Sequence, residues 1–235
     1  MTAPHPPLIV AIDGPSGVGK STAARRLARR LGVPFLDTGA MYRAIGLKVL
    51  ASGVDPADRA AVERVAAVAD VTLHEREDHG GFEVLLDGHP VEPRIRTSEV
   101  SEATSKISTY QPVRARLVAL QQEAALCFGG VLEGRDIGTH VFPDTPHKFF
   151  LDARPDVRGA RRHRELAAAG RDLSYEQVLA DLARRDHRDS TRADSPLTRD
   201  ASYVFVDTSD LSMDEVVDAM AGAIASALAT QGAQG

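Results

Sequence analysis

The 235-residue sequence has one cysteine, no tryptophan and no asparagine, and only four of its 28 basic residues are lysines. A single cysteine, Cys127, excludes an internal disulfide, and it is expected as a small buried side chain rather than a catalytic thiol. No stretch approaches the roughly 18 consecutive apolar residues of a membrane-spanning helix. Residues Met1 to Pro7 lack the basic flank and apolar run of a secretory signal. The expected location is therefore cytoplasmic. A net charge of −5 argues against a general nucleic-acid binder. His140, His163 and His187 are isolated, without metal-ligand spacing, and read as structural or exposed.

What is abundant is arginine. Between Arg154 and Arg192 ten arginines stand against seven acids. The planar guanidinium fork matches phosphate oxygens better than an ammonium does. An apolar fraction of 43% and a charged fraction of 26% are ordinary for a globular chain of this length.

Apolar runs and helical periods alternate along the chain. Leu8 to Ile12 reads as a buried strand, and Ser21 to Leu31 as an amphipathic helix closed by Gly32. Val33 to Leu36 is a second strand, and Asp37 or Thr38 can cap a helix from about Ala40 to Ala51. Asp55-Pro56 is expected to open another helix, with proline at its first position. Val71 to Leu73 and Phe82 to Leu86 flank a polar turn from Glu75 to Gly81. With Asp87-Gly88 and Pro90-Val91 they form a small antiparallel meander, read as an insert. Helices follow from about Glu99 to Ala125, divided near Pro112. Gly130 to Leu132, Lys148 to Asp152 and Tyr203 to Val206 are strands. Helices start at Pro155 and at Ser174, and another follows Ser212. Ser174 with Gln177, and Ser212 with Glu215, have capping-box spacing. Alternation of this kind implies an α/β fold with a central parallel sheet covered on both faces.

Gly14, Pro15, Ser16, Gly17, Val18, Gly19, Lys20 and Ser21 fit the phosphate-loop pattern G-x-x-x-x-G-K-[ST], with Thr22 following. Glycines let the backbone wrap a phosphate with its N–H groups inward, and the helix start adds its positive dipole end. Lys20 reaches the β- and γ-phosphates of ATP, and the Ser21 hydroxyl suits Mg²⁺. Three classes of protein carry such a loop. A GTPase switch needs Asn-Lys-x-Asp, which a chain without asparagine cannot contain. A mechanical ATPase needs an apolar strand ending in Asp-Glu, and Leu132-Glu133 and Leu151-Asp152 both lack that pair. A small-molecule kinase needs a second anion site and mobile arginines, for which Tyr42, Arg43, Arg135 and Asp136 beyond strand ends are candidates. An Arg-Asp dipeptide is more often a surface ion pair, but less so between glycines at a strand end.

Several blocks together carry a resemblance. Ile12-Asp13 running into the phosphate loop, Leu-Asp-Thr-Gly-Ala-Met-Tyr-Arg43, Ile-Arg-Thr97 and Glu-Gly-Arg-Asp-Ile-Gly138 are similar to the bacterial cytidylate kinases. So are Val-Phe-Pro143, Phe-Leu-Asp-Ala153 and Arg185-Asp-His-Arg-Asp-Ser-Thr-Arg192. The likeness runs from about Ile9 to Leu228. It implies one phosphate-loop kinase domain over residues 1–235, with an acceptor-binding insert at 38–110 and a lid at 154–172. It implies that ATP, with Mg²⁺, phosphorylates CMP or dCMP, and that a monomer works without nucleic acid or membrane as partner. Cytosine would be read by Ser105, Arg114 and Asp136, and the acceptor phosphate held by Arg43 and Arg135 near Ser16. Thr38, Tyr42, Glu133, Arg185, Asp189 and Arg192 would complete the CMP contacts. Glu133 stands where the family comparison has aspartate. Arg158, Arg161 and Arg162 would belong to the lid and act in transfer with Lys20 and Arg135. An arginine run is usually a solvated helix face, but beside a phosphate loop it suits a lid that excludes water.

Overall fold

The computed structural model describes residues 7–76 and 81–232. Residues 77–80 of the expected turn, with 1–6 and 233–235 at the ends, lie outside them. The chain divides into two compact units, residues 1–9 with 32–132 and residues 10–31 with 133–235. The elements alternate as β1 (Ile9–Asp13), α1 (Lys20–Leu31), β2 (Phe35–Asp37), α2 (Thr38–Ala51), α3 (Arg59–Val68), β3 (Val71–Glu75), β4 (Phe82–Leu86) and β5 (His89–Pro90). They continue as α4 (Ser98–Ile107), α5 (Gln111–Phe128), β6 (Gly130–Glu133), β7 (His147–Asp152), α6 (Pro155–Ala168), α7 (Tyr175–Thr191), β8 (Val204–Asp207) and α8 (Met213–Gly232). One sheet has five strands in the order β2-β6-β1-β7-β8, and the other is the meander β3-β4-β5. The fold is α/β with a central parallel sheet, as the alternation implies.

In the second unit, β1 and β7 pair in parallel with Ile12 opposite Phe149, and β7 and β8 with Leu151 opposite Val206. Val10–Ile12 of β1 and the Phe149–Leu151 centre of β7 are apolar and buried, while β7 also carries His147, Lys148 and Asp152, and β8 leaves Val204, Phe205 and Asp207 exposed. Val10, Ile12, Phe149 and Leu151 are buried, and so are Leu27 of α1 and Val216 and Met220 of α8. Arg26 bonds Asp214 at 2.6 Å and Arg30 bonds Asp218, tying the exposed rims of α1 and α8. Helices α6 and α7 close over a small core of Leu166, Leu173, Val178 and Leu182. The Ser174–Gln177 capping box starts α7, each side chain bonding the other's backbone N–H.

In the first unit, Asp37 caps α2 by accepting from Ala40 N at 2.9 Å. Met41, Ile45 and Val49 of α2 form its core with Ile95, Val100 and Ile107. A Cβ on Gly46 would lie 2.6 Å from Thr104 Oγ1, so the glycine permits the close approach of α2 and α4.

Two expectations are corrected. No helix opens at Asp55-Pro56: α3 starts at Arg59, and Asp58 caps it by accepting from Ala61 N at 3.0 Å. Asp55 instead closes a turn, its side chain on Ala57 N and its carbonyl on Asp58 N. Cys127 is exposed, not buried. The inward stripe of α5 takes Ala124 and Ala125, which leaves Leu126, Cys127 and Phe128 outside. Among the described residues no helix is long and apolar enough to cross a membrane.

Candidate active site

In the second unit the phosphate loop joins β1 to α1. Gly14 has φ 147°, and a Cβ there would lie 2.0 Å from the Leu151 carbonyl oxygen, so any side chain would collide with β7. Gly17 and Gly19 have φ 82° and 93°, the left-handed region where glycine is at ease. Lys20, the first residue of α1, is buried, and its Nζ donates to the Pro15 carbonyl at 2.6 Å. Burial first, and then the positive charge of Arg135, push the Lys20 ammonium down to about 7, against the opposing pull of Glu133. Ser21 and Thr22 follow on the exposed first turn of α1.

Arg135 reaches this loop from beyond β6. Its Nη2 donates to Ser16 Oγ at 2.8 Å, its Nη1 to the Gly134 carbonyl at 3.0 Å, and its Nε to Asp189 Oδ2 at 2.8 Å. Against the desolvation penalty, Arg135 and Arg185 hold the Asp189 carboxyl below its ordinary value. The pair is therefore ionised at neutral pH. Asp136 turns the other way and accepts from Arg192 Nη2 at 3.0 Å, while Arg192 Nε donates to the Ser195 carbonyl at 2.6 Å. Arg135 and Asp136 thus form two separate cross-pairs, one partly buried with Asp189 and one buried with Arg192, rather than a surface ion pair with each other.

The three lid arginines fare differently. Arg158 is buried, pairs with Asp186 at 2.7 Å and donates to the Ser16 carbonyl at 3.2 Å. Arg161 donates from Nη1 and Nη2 to Thr208 Oγ1 and O, and the Thr208 hydroxyl donates to the Val18 carbonyl at 3.0 Å. Arg162 pairs along its own helix with Glu165 at 2.9 Å. Ser16 thus has Arg135 on its hydroxyl and Arg158 on its carbonyl, while Arg162 stands apart.

The first unit holds the remaining candidates. Arg43 Nη2 bonds both oxygens of Asp37, at 2.9 and 3.1 Å, and Arg96 Nη2 shares Oδ2 at 2.9 Å. Burial opposes that charge, but the two guanidiniums keep the Asp37 carboxyl below its ordinary value. Arg43 Nε is buried with no partner among the described residues, as is Ser105 Oγ. Arg114 lies almost wholly buried on α5, with its guanidinium 5.9 Å from the Tyr42 ring centroid and Nη1 near the Ser108 carbonyl. The turn 108–110 between α4 and α5 brings Ser105 and Arg114 to the same end of the unit. Thr38, at the start of α2, is buried.

An arginine, which can only donate, and a buried hydroxyl with spare capacity on the preceding helix suit a base edge. An arginine pair around a phosphate loop suits a transferring phosphoryl group. The cytidylate kinase family profile matches residues 10–226. The chain belongs to the cytidylate kinase family. It is similar to the cytidylate kinase of Corynebacterium glutamicum, 53% identical over 212 residues, covering 90% of this chain and 91% of that one. The cytidylate kinase of Nocardia farcinica is 47% identical over 229 residues, covering 97% and 98%. An uncharacterised protein from Eubacterium ventriosum shares the fold, with a TM-score of 0.51 at 16% identity over 93% of this chain and 98% of that one. Like the family, the chain is a kinase, a phosphotransferase.

Sequence reasoning passed over four residues, one in the first unit and three in the second, that bind the candidate site residues there or the backbone beside them. Asp37 was read only as a cap, yet it also binds Arg43 and Arg96. Asp186 holds Arg158, and Thr208 links Arg161 to the loop. Asp13 is the fourth, a fully buried carboxylate at the end of an apolar strand. A charged residue ending an apolar strand was the signal available for it.

Proposed function

We propose that this kinase transfers the γ-phosphate of ATP to CMP or dCMP, giving CDP or dCDP and ADP. The observation that carries the reading is the double engagement of Ser16 by Arg135 and Arg158, which supplies two guanidiniums at the phosphate loop. An acceptor phosphate oxygen attacks the γ-phosphorus while the bond to the β-phosphate oxygen breaks and ADP leaves. Such a transfer needs positioning and charge neutralisation, not a covalent nucleophile. Lys20 would hold the β- and γ-phosphates, and Gly14 to Thr22 would supply the remaining donor contacts. Arg158, Arg161 and Arg162, in a lid over 154–172, would neutralise the transferring group and exclude water.

The acceptor phosphate would be held by Arg43 and Arg135. The carboxylates now on those arginines orient them until phosphate oxygens compete for the same donors. Ser105, Arg114 and Asp136 would read cytosine. Asp136 can accept from the N4 amino group, and Arg114 can donate to N3 and O2. Tyr42, Arg185, Asp189 and Arg192 would contact the sugar and phosphate, Thr38 and Glu133 would complete the CMP contacts, and residues 38–110 would form the acceptor-binding insert.

Among the described residues no group of three or more His, Cys, Asp or Glu is placed to hold a metal ion. The exposed Ser21 hydroxyl fits a single Mg²⁺ contact, with ATP phosphates supplying the others. Held by the Ser21 hydroxyl, such an ion would supply positive charge to offset that of the ATP phosphates. A cytoplasmic monomer acting on small nucleotides, without nucleic acid as partner, is the proposed working form.

The test is ADP release over a panel of CMP, dCMP, UMP, AMP, GMP and shikimate, with Asp136→Asn and Arg135→Ala beside the parent protein. CMP and dCMP should outrun UMP, with AMP and GMP very poor. Asp136→Asn should lose about 1–3 kcal/mol in kcat/KM for CMP, the scale of a mispaired buried group, and far less for UMP. Arg135→Ala should weaken both equally. A preference for AMP or shikimate would overturn the cytosine reading. ATP binding without acceptor-dependent ADP would make the chain a regulatory module.

A further inference from the structure

Asp13 is wholly buried at the end of β1, immediately before Gly14 of the phosphate loop. Among the described residues it makes no salt bridge, although the Lys20 ammonium feels its charge. Its three contacts are all with neutral donors: Ile137 N to Oδ1 at 2.9 Å, Gly138 N to Oδ2 at 2.8 Å, and the Tyr203 hydroxyl to Oδ2 at 2.8 Å. Burying a carboxylate without a cation is costly. A strand interior beside Val10, Ala11 and Ile12 would be better filled by another apolar side chain. The placement of its contacts accounts for the exception.

The chain leaving β6 is hooked to the end of β1 at two points. Gly134 N donates to the Ile12 carbonyl at 2.9 Å, and Ile137 and Gly138 donate to Asp13. The two residues between the hooks are Arg135 and Asp136. Beyond the second hook the backbone enters a wide helical turn, with Val141 N on the Asp136 carbonyl and Phe142 N on the Ile137 carbonyl. Tyr203 closes the pocket. A Cβ on Gly138 would lie 2.6 Å from its hydroxyl, so a glycine is needed there.

We infer that Asp13 is a positioning residue: its carboxylate fixes the backbone on the far side of Asp136 and so sets the placement of Arg135 and Asp136 relative to the phosphate loop that begins at the next residue. Tyr203 holds the carboxylate in the orientation that accepts both amides. This rests on the reading of Arg135 and Asp136 as acceptor ligands.

Asn is nearly isosteric with Asp but presents one acceptor oxygen and one donor amide. With that oxygen at the Oδ2 position it satisfies Gly138 N and Tyr203, and the amide then faces Ile137 N–H donor to donor. Asp13→Asn therefore releases the hook nearest Asp136. The expected result is a rise of about tenfold in KM for CMP, the scale of one lost charge-assisted bond, with KM for ATP within twofold of the parent. The amide signals of Ile137 and Gly138 should shift in the NMR spectrum of the same protein. A role in folding alone would lower melting temperature and kcat but leave both KM values in place. In a double-mutant cycle the CMP-to-UMP preference lost in Asp13→Asn should overlap with that lost in Asp136→Asn rather than multiply with it.

Tyr203→Phe keeps both backbone hooks and should raise KM for CMP only about two- to threefold; it serves as the test if Asp13→Asn does not fold. A folded Asp13→Asn protein with unchanged KM for CMP and unmoved amide signals overturns the inference. So does an equal rise in both KM values, or a Tyr203→Phe protein whose acceptor and donor KM values rise together. If Asp136→Asn leaves the CMP-to-UMP ratio unchanged, the base-reading role of Asp136 fails on its own. The KM split and the amide shifts of Asp13→Asn still decide the positioning role.

Discussion

Replacing Lys20 by methionine should abolish a proton uptake that accompanies ATP binding. The groups around Lys20 hold its ammonium near 7, with burial as the largest cause and Arg135 next. At pH 8 a group titrating near 7 is about one-tenth protonated, at pH 7 about half, and at pH 6 about nine-tenths. Triphosphate oxygens brought beside Nζ favour the charged form and lift its titration well above 8. Binding should then take up about 0.9 proton at pH 8 and only about 0.1 at pH 6. Above pH 7 the affinity of the parent protein for ATP should fall by up to about tenfold per unit relative to Lys20→Met. Calorimetric titration of ATP in two buffers of different ionisation enthalpy, at pH 6, 7 and 8, reads the protons directly. Lys20→Met, which keeps the stem of the side chain, subtracts the nucleotide's own titration. Stability should follow with a definite sign. The unfolded lysine titrates near 10.5 and the folded one near 7, so between those values the unfolded chain binds more protons. Stability contributed by Lys20 therefore rises with pH across that window, and Lys20→Met should flatten the rise in melting temperature between pH 7 and 9. Equal proton uptake by parent and variant at pH 8 would refute the reasoning.

Gly14→Ala places a Cβ 2.0 Å from the Leu151 carbonyl oxygen at φ 147°. ATP binding measured by titration should be lost, with the melting temperature lowered; a variant that binds normally would contradict the close fit of loop and β7. Asp186→Ala removes the 2.7 Å partner of Arg158 while leaving its bond to Ser16 O. Steady-state assays should show kcat reduced by about tenfold, on the scale of one misplaced transition-state contact, with KM for CMP nearly unchanged.

The order of strands and helices was legible because the parallel strands have short apolar centres, such as Val10–Ile12 and Phe149–Leu151, and helices repeat near 3.6 residues. The caps at Asp37, Ser174 and Ser212 followed from local chemistry alone. The false start at Asp55-Pro56 arose from the same rules: Pro56 suits a first helical turn, but Asp58 stands three residues before the amide it caps and wins. Cys127 was misplaced because α5 shows little contrast between faces until its packing is known. The phosphate loop declares itself in eight consecutive residues. The pairings that arm it do not, since Arg135 meets Asp189, Asp136 meets Arg192, and Arg158 meets Asp186 across separations of 54, 56 and 28 residues. Partner choice at that distance depends on the fold, as does the hook between Asp13 and Ile137.

The most direct test of the central claim is transfer of label from γ-labelled ATP in the presence of CMP and Mg²⁺. The expected product is CDP carrying the label on its β-phosphate, one molecule for each ADP formed, with none retained on the protein. Label released as inorganic phosphate at the same rate with and without CMP, or label bound covalently to the chain, would contradict direct transfer to the cytidine nucleotide.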